Sequence, residues 1–128
     1  MLQERERRRI FVVDDEDILA MTVALILQRE GFDATAFTVP IDALQAADRD
    51  TPDLLISDIL MPSLSGIELA TQVRQRCPNC KVLLFSGQAG SSEMIQQAIG
   101  DGHSFELINK PVHPADLLKK VQEIIRVA

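Results

Sequence analysis

The chain has no tryptophan and no tyrosine, and five phenylalanines make up its 4% of aromatic residues. With so few large rings, stacking platforms for single-stranded nucleic acid are hard to build, which argues against RNA or single-strand binding. Positive charge is also scarce. Thirteen Lys and Arg against nineteen Asp and Glu give a net charge of −6, with an isoelectric point near 4.8. The chain as a whole therefore repels phosphate backbones and anionic membrane surfaces. The exception is MLQERERRR, where Arg5 and Arg7 to Arg9 gather. Residues 1–8 read as a solvated charged tail, because so few charges bind nucleic acid weakly. Long apolar runs are missing too: nothing approaches the ~20 residues that span a bilayer, and no apolar segment follows the N-terminal charges as a signal peptide requires. A cytoplasmic protein with no membrane and no nucleic-acid partner in this chain is the expectation. Two cysteines occur, in Cys77-Pro78-Asn79-Cys80. A redox pair normally places its first thiol at a helix N-terminus, where the dipole favours thiolate. This one follows a helical pattern and precedes a strand. With His103 and His113 far along the chain, neither redox chemistry nor zinc binding is expected.

What is present is a core. At 128 residues and 46% hydrophobic content, one compact unit spanning residues 9–127 is expected. Arg9 to Val13 is a short apolar strand, and Ile18 to Glu30 a helical pattern ended by Gly31. Asp33 to Phe37 alternates like an edge strand. Thr38 offers an N-cap with Pro40 in the first turn, and Ile41, Leu44 and Ala47 mark a second helix. Leu54 to Ile56 is a third strand, apolar on both faces. Gly66 to Arg76 carries Ile67, Ala70 and Val73 on one side of a third helix. Val82 to Phe85 is a fourth strand, Ser91 to Ile99 a fourth helix, Phe105 to Ile108 a fifth strand, and Pro114 to Val127 a fifth helix striped by Leu117, Leu118, Val121, Ile124 and Ile125. Strands apolar on both faces that alternate with helices predict an α/β sandwich: a parallel sheet in the middle of three layers.

In open sheets of this kind ligands sit outside the carboxyl ends of the strands. The residues due there are Asp14-Asp15-Glu16-Asp17 after the first strand, Asp58 after the third, Ser86-Gly87 after the fourth, and Asn109-Lys110-Pro111 after the fifth. If the first and third strands are neighbours, Asp14, Asp15 and Asp58 converge. Like charges ~4 Å apart repel by about 4 kcal/mol at an effective dielectric of 20, so the cluster needs positive charge. Hard oxygen donors with room for water suit Mg²⁺ better than zinc, and Lys110 supplies a further cation. No Cys or His stands at these strand ends, no Gly-rich loop cradles a nucleotide, and no serine has a base beside it in sequence. A carboxylate can itself attack phosphorus to give an aspartyl-phosphate. Asp58 is placed for that, with Ser86 and Lys110 able to donate to the phosphoryl oxygens. Taken singly, the acids read as helix caps, Ser86-Gly87 as a turn and Lys110-Pro111 as a loop. Their joint placement on four strand ends outweighs those readings.

From Arg9 to Val127 the chain resembles the receiver domains of bacterial response regulators in two-component systems. The resemblance rests on Val12-Val13-Asp14-Asp15-Glu16, Asp58-Ile59-Leu60-Met61-Pro62 with Gly66, Ser86-Gly87 and Lys110-Pro111. It implies a flavodoxin-like (βα)5 fold with strand order 2-1-3-4-5. By that likeness Asp58 takes a phosphoryl group from the phosphohistidine of a sensor histidine kinase, or of a hybrid kinase or phosphotransfer protein. Asp15, Asp58 and the Leu60 backbone carbonyl would bind Mg²⁺ directly and Asp14 through water, with the Leu60 side chain facing outward. Ser86 and Lys110 would contact the phosphoryl group. Such domains act as signalling modules rather than enzymes, and the downstream protein partner is not legible. Where many of them carry Tyr or Phe three residues before the lysine, this chain has Leu107, with Phe105 two positions further back.

A different class, a Mg²⁺-dependent aspartyl-phosphate phosphatase or phosphotransferase, would need a general acid near the nucleophile and a substrate cap. The position two beyond Asp58 is Leu60, and no insertion is long enough for a cap. The first helix, with Ile18, Leu19, Met21, Val23, Leu25, Ile26 and Leu27, is apolar over more than one stripe. Core burial accounts for most of it, and a weak homodimer or a kinase-docking face for any remainder.

Overall fold

The computed structural model describes residues 7–87, 96 and 105–127. In chain order these form β1 (Arg9–Val13), α1 (Asp17–Arg29), β2 (Asp33–Phe37), α2 (Pro40–Arg49), β3 (Leu54–Asp58), α3 (Gly66–Arg76), β4 (Lys81–Ser86), β5 (Glu106–Asn109) and α4 (Pro114–Val127). The helix expected over Ser91–Ile99 lies outside the described residues, apart from Gln96, which is helical. All strand pairs are parallel, in the order β2-β1-β3-β4-β5, as expected.

The double apolarity of the central strands has the anticipated cause. Period-two alternation sends Ile10, Val12, Leu54, Ile56, Leu83 and Phe85 to one face, where Val23, Ala24 and Leu27 of α1 and Leu117, Val121, Ile124 and Ile125 of α4 cover them. Phe11, Val13, Leu55, Val82 and Leu84 face the other way, against Ala43, Leu44 and Ala47 of α2 and Leu69, Ala70 and Val73 of α3. Each fully buried Leu or Ile contributes about 1.5–3 kcal/mol relative to exposure. The sheet is thereby a stiff floor whose carboxyl edge is fixed in space.

Several boundaries differ from the sequence reading. β3, β4 and β5 each run on to a polar residue, because ladder pairing continues through Ser57↔Leu84, Asp58↔Phe85 and Ser86↔Asn109. A polar side chain looks like a strand break in sequence, yet the backbone still pairs. The N-cap of α2 is Val39, not Thr38, and no side chain caps it. Pro40 in the first turn lowers the need for one, since it has no N–H to satisfy. Ile41 is exposed, and Ala43, Leu44 and Ala47 make the buried stripe. In α1, only Ala20, Val23, Ala24 and Leu27 are buried, while Ile18, Met21 and Leu25 are exposed. Cys77 and Cys80 are buried in the α2/α3-side core, joined by a turn in which Cys80 N–H donates to the Cys77 carbonyl at 3.0 Å. They pack as small apolar groups.

Candidate functional site

The carboxyl edge of the sheet carries the cluster. β1 pairs with β3 in register Val13↔Ser57, so Asp14 and Asp58, the next residue on each strand, emerge side by side. β4 lies against β3 with Phe85 opposite Asp58, which sets Ser86 one residue beyond that level. β5 closes the row: Ser86 pairs with Asn109, and Lys110 follows.

Asp14, Asp15 and Asp58 each offer a carboxylate oxygen, and these oxygens lie within 4.8 Å of one another. Asp14 is buried, at 1% exposure, whereas Asp15 is open to solvent. One Asp14 oxygen, Oδ1, accepts from Glu16 N–H at 2.9 Å. The other, Oδ2, is buried and has no hydrogen-bond partner among the described residues. The Lys110 ammonium reaches into the cluster, 3.1 Å from Asp58 Oδ2 and 3.8 Å from Asp14 Oδ2. Burial pushes the Asp14 carboxyl above its ordinary value; the Glu16 N–H and Lys110 pull it down, and Asp58 and Asp15 push it up further.

Lys110 is aimed by its backbone and by a glycine. Its N–H donates to the Ser86 carbonyl at 3.0 Å. A Cβ on Gly87 would stand 2.9 Å from Lys110 Cβ and 3.3 Å from Cδ, so only glycine leaves the channel through which the lysine stem runs.

The donor set fits Mg²⁺. Among the described residues it consists of hard carboxylate oxygens without a nitrogen or sulfur ligand, and it includes a desolvated oxygen that receives no hydrogen bond from them. One lysine cannot neutralise three carboxylates, so a small divalent cation would lower the energy of the cluster.

Asp14, Asp15, Asp58 and Lys110 are thus brought together, and Ser86 ends the neighbouring strand. Leu60 stands two residues past Asp58, but its side chain is half-buried against the α2/α3-side core instead of facing outward. Phe105 packs on the same core, with the Arg74 guanidinium 5.4 Å from its ring centre. Leu107 is partly exposed. Sequence reasoning passed over Ser57, which is fully buried and whose hydroxyl donates to the Asp58 carbonyl at 2.9 Å. The available signal was a polar residue inside LLIS, one place before the acid. No helix among the described residues is long and apolar enough to cross a membrane.

Comparison with known proteins agrees with this geometry. Residues 10–122 match the response regulator receiver domain family. The alkaline phosphatase synthesis transcriptional regulatory protein PhoP of Bacillus subtilis is 28% identical over 120 residues, covering 93% of this chain and 49% of that protein. The transcriptional regulatory protein CreB of Escherichia coli is 29% identical over 122 residues, 94% of this chain and 52% of that protein. The chain therefore spans about half the length of the curated relatives it matches. Among solved structures, chemotaxis protein CheY4 of Vibrio cholerae superposes with a TM-score of 0.81 at 27% identity, over 92% of this chain and 98% of that one.

Proposed function

The chain belongs to the response regulator receiver domain family, and from that premise we propose that it accepts a phosphoryl group on Asp58 from a phosphohistidine. The observation that carries this reading is the 3.1 Å contact of Lys110 Nζ with Asp58 Oδ2 inside a cluster of three carboxylates. A nucleophilic carboxylate is thereby held at a fixed point beside a cation that can stay with the oxygens as they gain charge.

In the proposed step an Asp58 carboxylate oxygen forms a bond to phosphorus as the N–P bond of the phosphoimidazole, protonated at its other ring nitrogen, breaks. The electron pair returns to the imidazole nitrogen, leaving neutral histidine on the donor. Lys110 then pairs with a phosphoryl oxygen, and the Ser86 hydroxyl donates to another. Asp14, Asp15, Asp58 and the Leu60 carbonyl would hold Mg²⁺, which when bound offsets the negative charge of the acid cluster and of the phosphoryl oxygens. The donor would be a sensor kinase, hybrid kinase or phosphotransfer protein. The acquired charge shifts an existing equilibrium and alters binding to a downstream protein. Residues 9–127 would form this unit, residues 1–8 a solvated tail, and the setting would be cytoplasmic. The phosphatase alternative has no support at Leu60, which offers no acid and packs on the core.

Incubation with Mg²⁺ and acetyl phosphate, or with a cognate kinase, is expected to add one acid-labile, hydroxylamine-sensitive phosphate per chain. Asp58→Asn should abolish it. Equal labelling of the variant would remove Asp58 from the role.

A further inference from the structure

Asp58 can meet an incoming phosphoryl group reproducibly only if its backbone is held, since its carboxylate is two rotatable bonds from the main chain. Two neighbours grip that backbone at the carbonyl. The Ser57 hydroxyl, fully buried, donates to the Asp58 carbonyl oxygen at 2.9 Å. A buried hydroxyl in an apolar strand costs free energy unless bonded, and here it bonds to the acceptor residue's own peptide. From the other side comes Gly66, the buried first residue of α3. A Cβ there would land on the Asp58 carbonyl oxygen, and would lie only 3.0 Å from the carbonyl carbon and 3.1 Å from Ile59 Cα. Gly66 N–H donates to the Ile59 carbonyl at 2.8 Å. Gly66 is itself pinned by a capping box: Ser65 Oγ accepts from Glu68 N–H, and Glu68 Oε1 from Ser65 N–H, both at 3.1 Å.

We infer that Ser57 and Gly66 are positioning residues for the phosphoacceptor. Between them they set the plane of the peptide after Asp58, and so the direction of the Cα–Cβ bond that carries its carboxylate and the path of the chain to Leu60. The inference rests on the reading of Asp58 as acceptor. It links the N-terminus of α3 to the site through main-chain atoms, so a change at either residue acts on Asp58 without touching the substrate.

The test uses the full chain with Ser57→Ala, Ser57→Thr and Gly66→Ala. Three quantities are measured: the phosphorylation rate at saturating Mg²⁺ and acetyl phosphate, the Mg²⁺ dissociation constant by calorimetry, and the melting temperature. Ser57→Ala should lose about tenfold in the saturated rate, as small misplacements of a reacting group do. Its Mg²⁺ binding should weaken severalfold, and Ser57→Thr should restore both. Gly66→Ala should lose more; if it fails to fold, the serine pair decides. A lower melting temperature in Ser57→Ala with native rate and native Mg²⁺ affinity would overturn the inference. So would a Ser57→Thr protein that folds yet recovers neither. If the unaltered protein takes up no phosphate, the acceptor reading falls on its own, and the Mg²⁺ titration still decides: native affinity in the folded Ser57→Ala variant overturns the clamp, and weakened affinity restored by Thr supports it.

Discussion

Asp14→Asn neutralises the buried carboxylate of the acid cluster, and it should make the metal-free protein more stable while removing its response to Mg²⁺. The Lys110 ammonium, 3.8 Å from Asp14 Oδ2, attracts it by about 4 kcal/mol at an effective dielectric of 20. Asp58, within 4.8 Å, repels it by at least about 3.5 kcal/mol on the same basis, and the exposed Asp15 is largely screened. The charge terms nearly cancel. What remains is the burial of Oδ2 without a hydrogen bond, and an unsatisfied buried group costs about 1–3 kcal/mol. Asn retains an oxygen for the Glu16 N–H and puts an uncharged amide NH2, cheaper to bury than an ionised oxygen, at the Oδ2 position, so a gain of about 1 kcal/mol is expected, or ~3–5 °C for a domain of this size. The sign follows from the titration. Burial holds the folded-state value above the ordinary 3.8, so the ionised form costs stability. That cost is absent below the unfolded value and develops as pH rises through the folded one. Melts in EDTA should therefore show the variant ahead at pH 7 and the gap closing toward pH 3.5. With Mg²⁺ at 100 times its dissociation constant the unaltered protein should gain about 2.7 kcal/mol, and the variant little. A variant less stable than its parent in EDTA at pH 7, or a gap independent of pH, would refute the reasoning.

Lys110→Ala strips the cation from Asp58 and Asp14. Phosphorylation by acetyl phosphate should slow by about 10²-fold, and the metal-free protein should lose ~1–2 kcal/mol in urea melts, the pair being only partly buried; an unchanged rate would contradict this role. Burial, with Cys77 alongside, pushes the Cys80 thiol up to about 12, so about one in 10⁴ is thiolate at pH 8. Ellman's reagent should leave Cys80 nearly untouched in the native protein and titrate both thiols in concentrated guanidinium; complete native labelling within minutes would show the core wrongly assigned there. Ser65→Ala removes the acceptor of the α3 capping box and should cost about 1 kcal/mol, read as a lower urea midpoint; an unmoved midpoint would mean that the cap contributes nothing.

Much of the fold could be read along the chain because its signals are local. The runs Ile10–Val13, Leu54–Ile56 and Val82–Phe85 are apolar at every position, which only a strand covered on both faces requires, and the stripe on α4 has the 3.6-residue period of a packed helix. The acids, the serine and the lysine could be placed on one edge for the same reason: each directly follows or ends a strand, and parallel strands share a carboxyl end. Strand ends were less legible, since Ser57, Asp58, Ser86 and Asn109 look like breaks until a neighbouring strand supplies their ladder partners. The α1 pattern was similarly ambiguous. Ile18, Met21 and Leu25 have the same apolarity as Val23 and Leu27, and only the position of β2 and α4 decided which of them are covered.

The sequence by itself determined the layer architecture and the chemistry on offer at the carboxyl edge, because periodicity and residue type are properties of the chain alone. The tertiary structure decided the rest: that Asp14 is desolvated while the adjacent Asp15 is not, that Lys110 sits closer to Asp58 than to Asp14, and that the Asp58 carbonyl leaves no room for a Cβ at position 66. Burial, ion pairing and close backbone approach each depend on distances between residues far apart in sequence, and those distances exist only once the strands have paired.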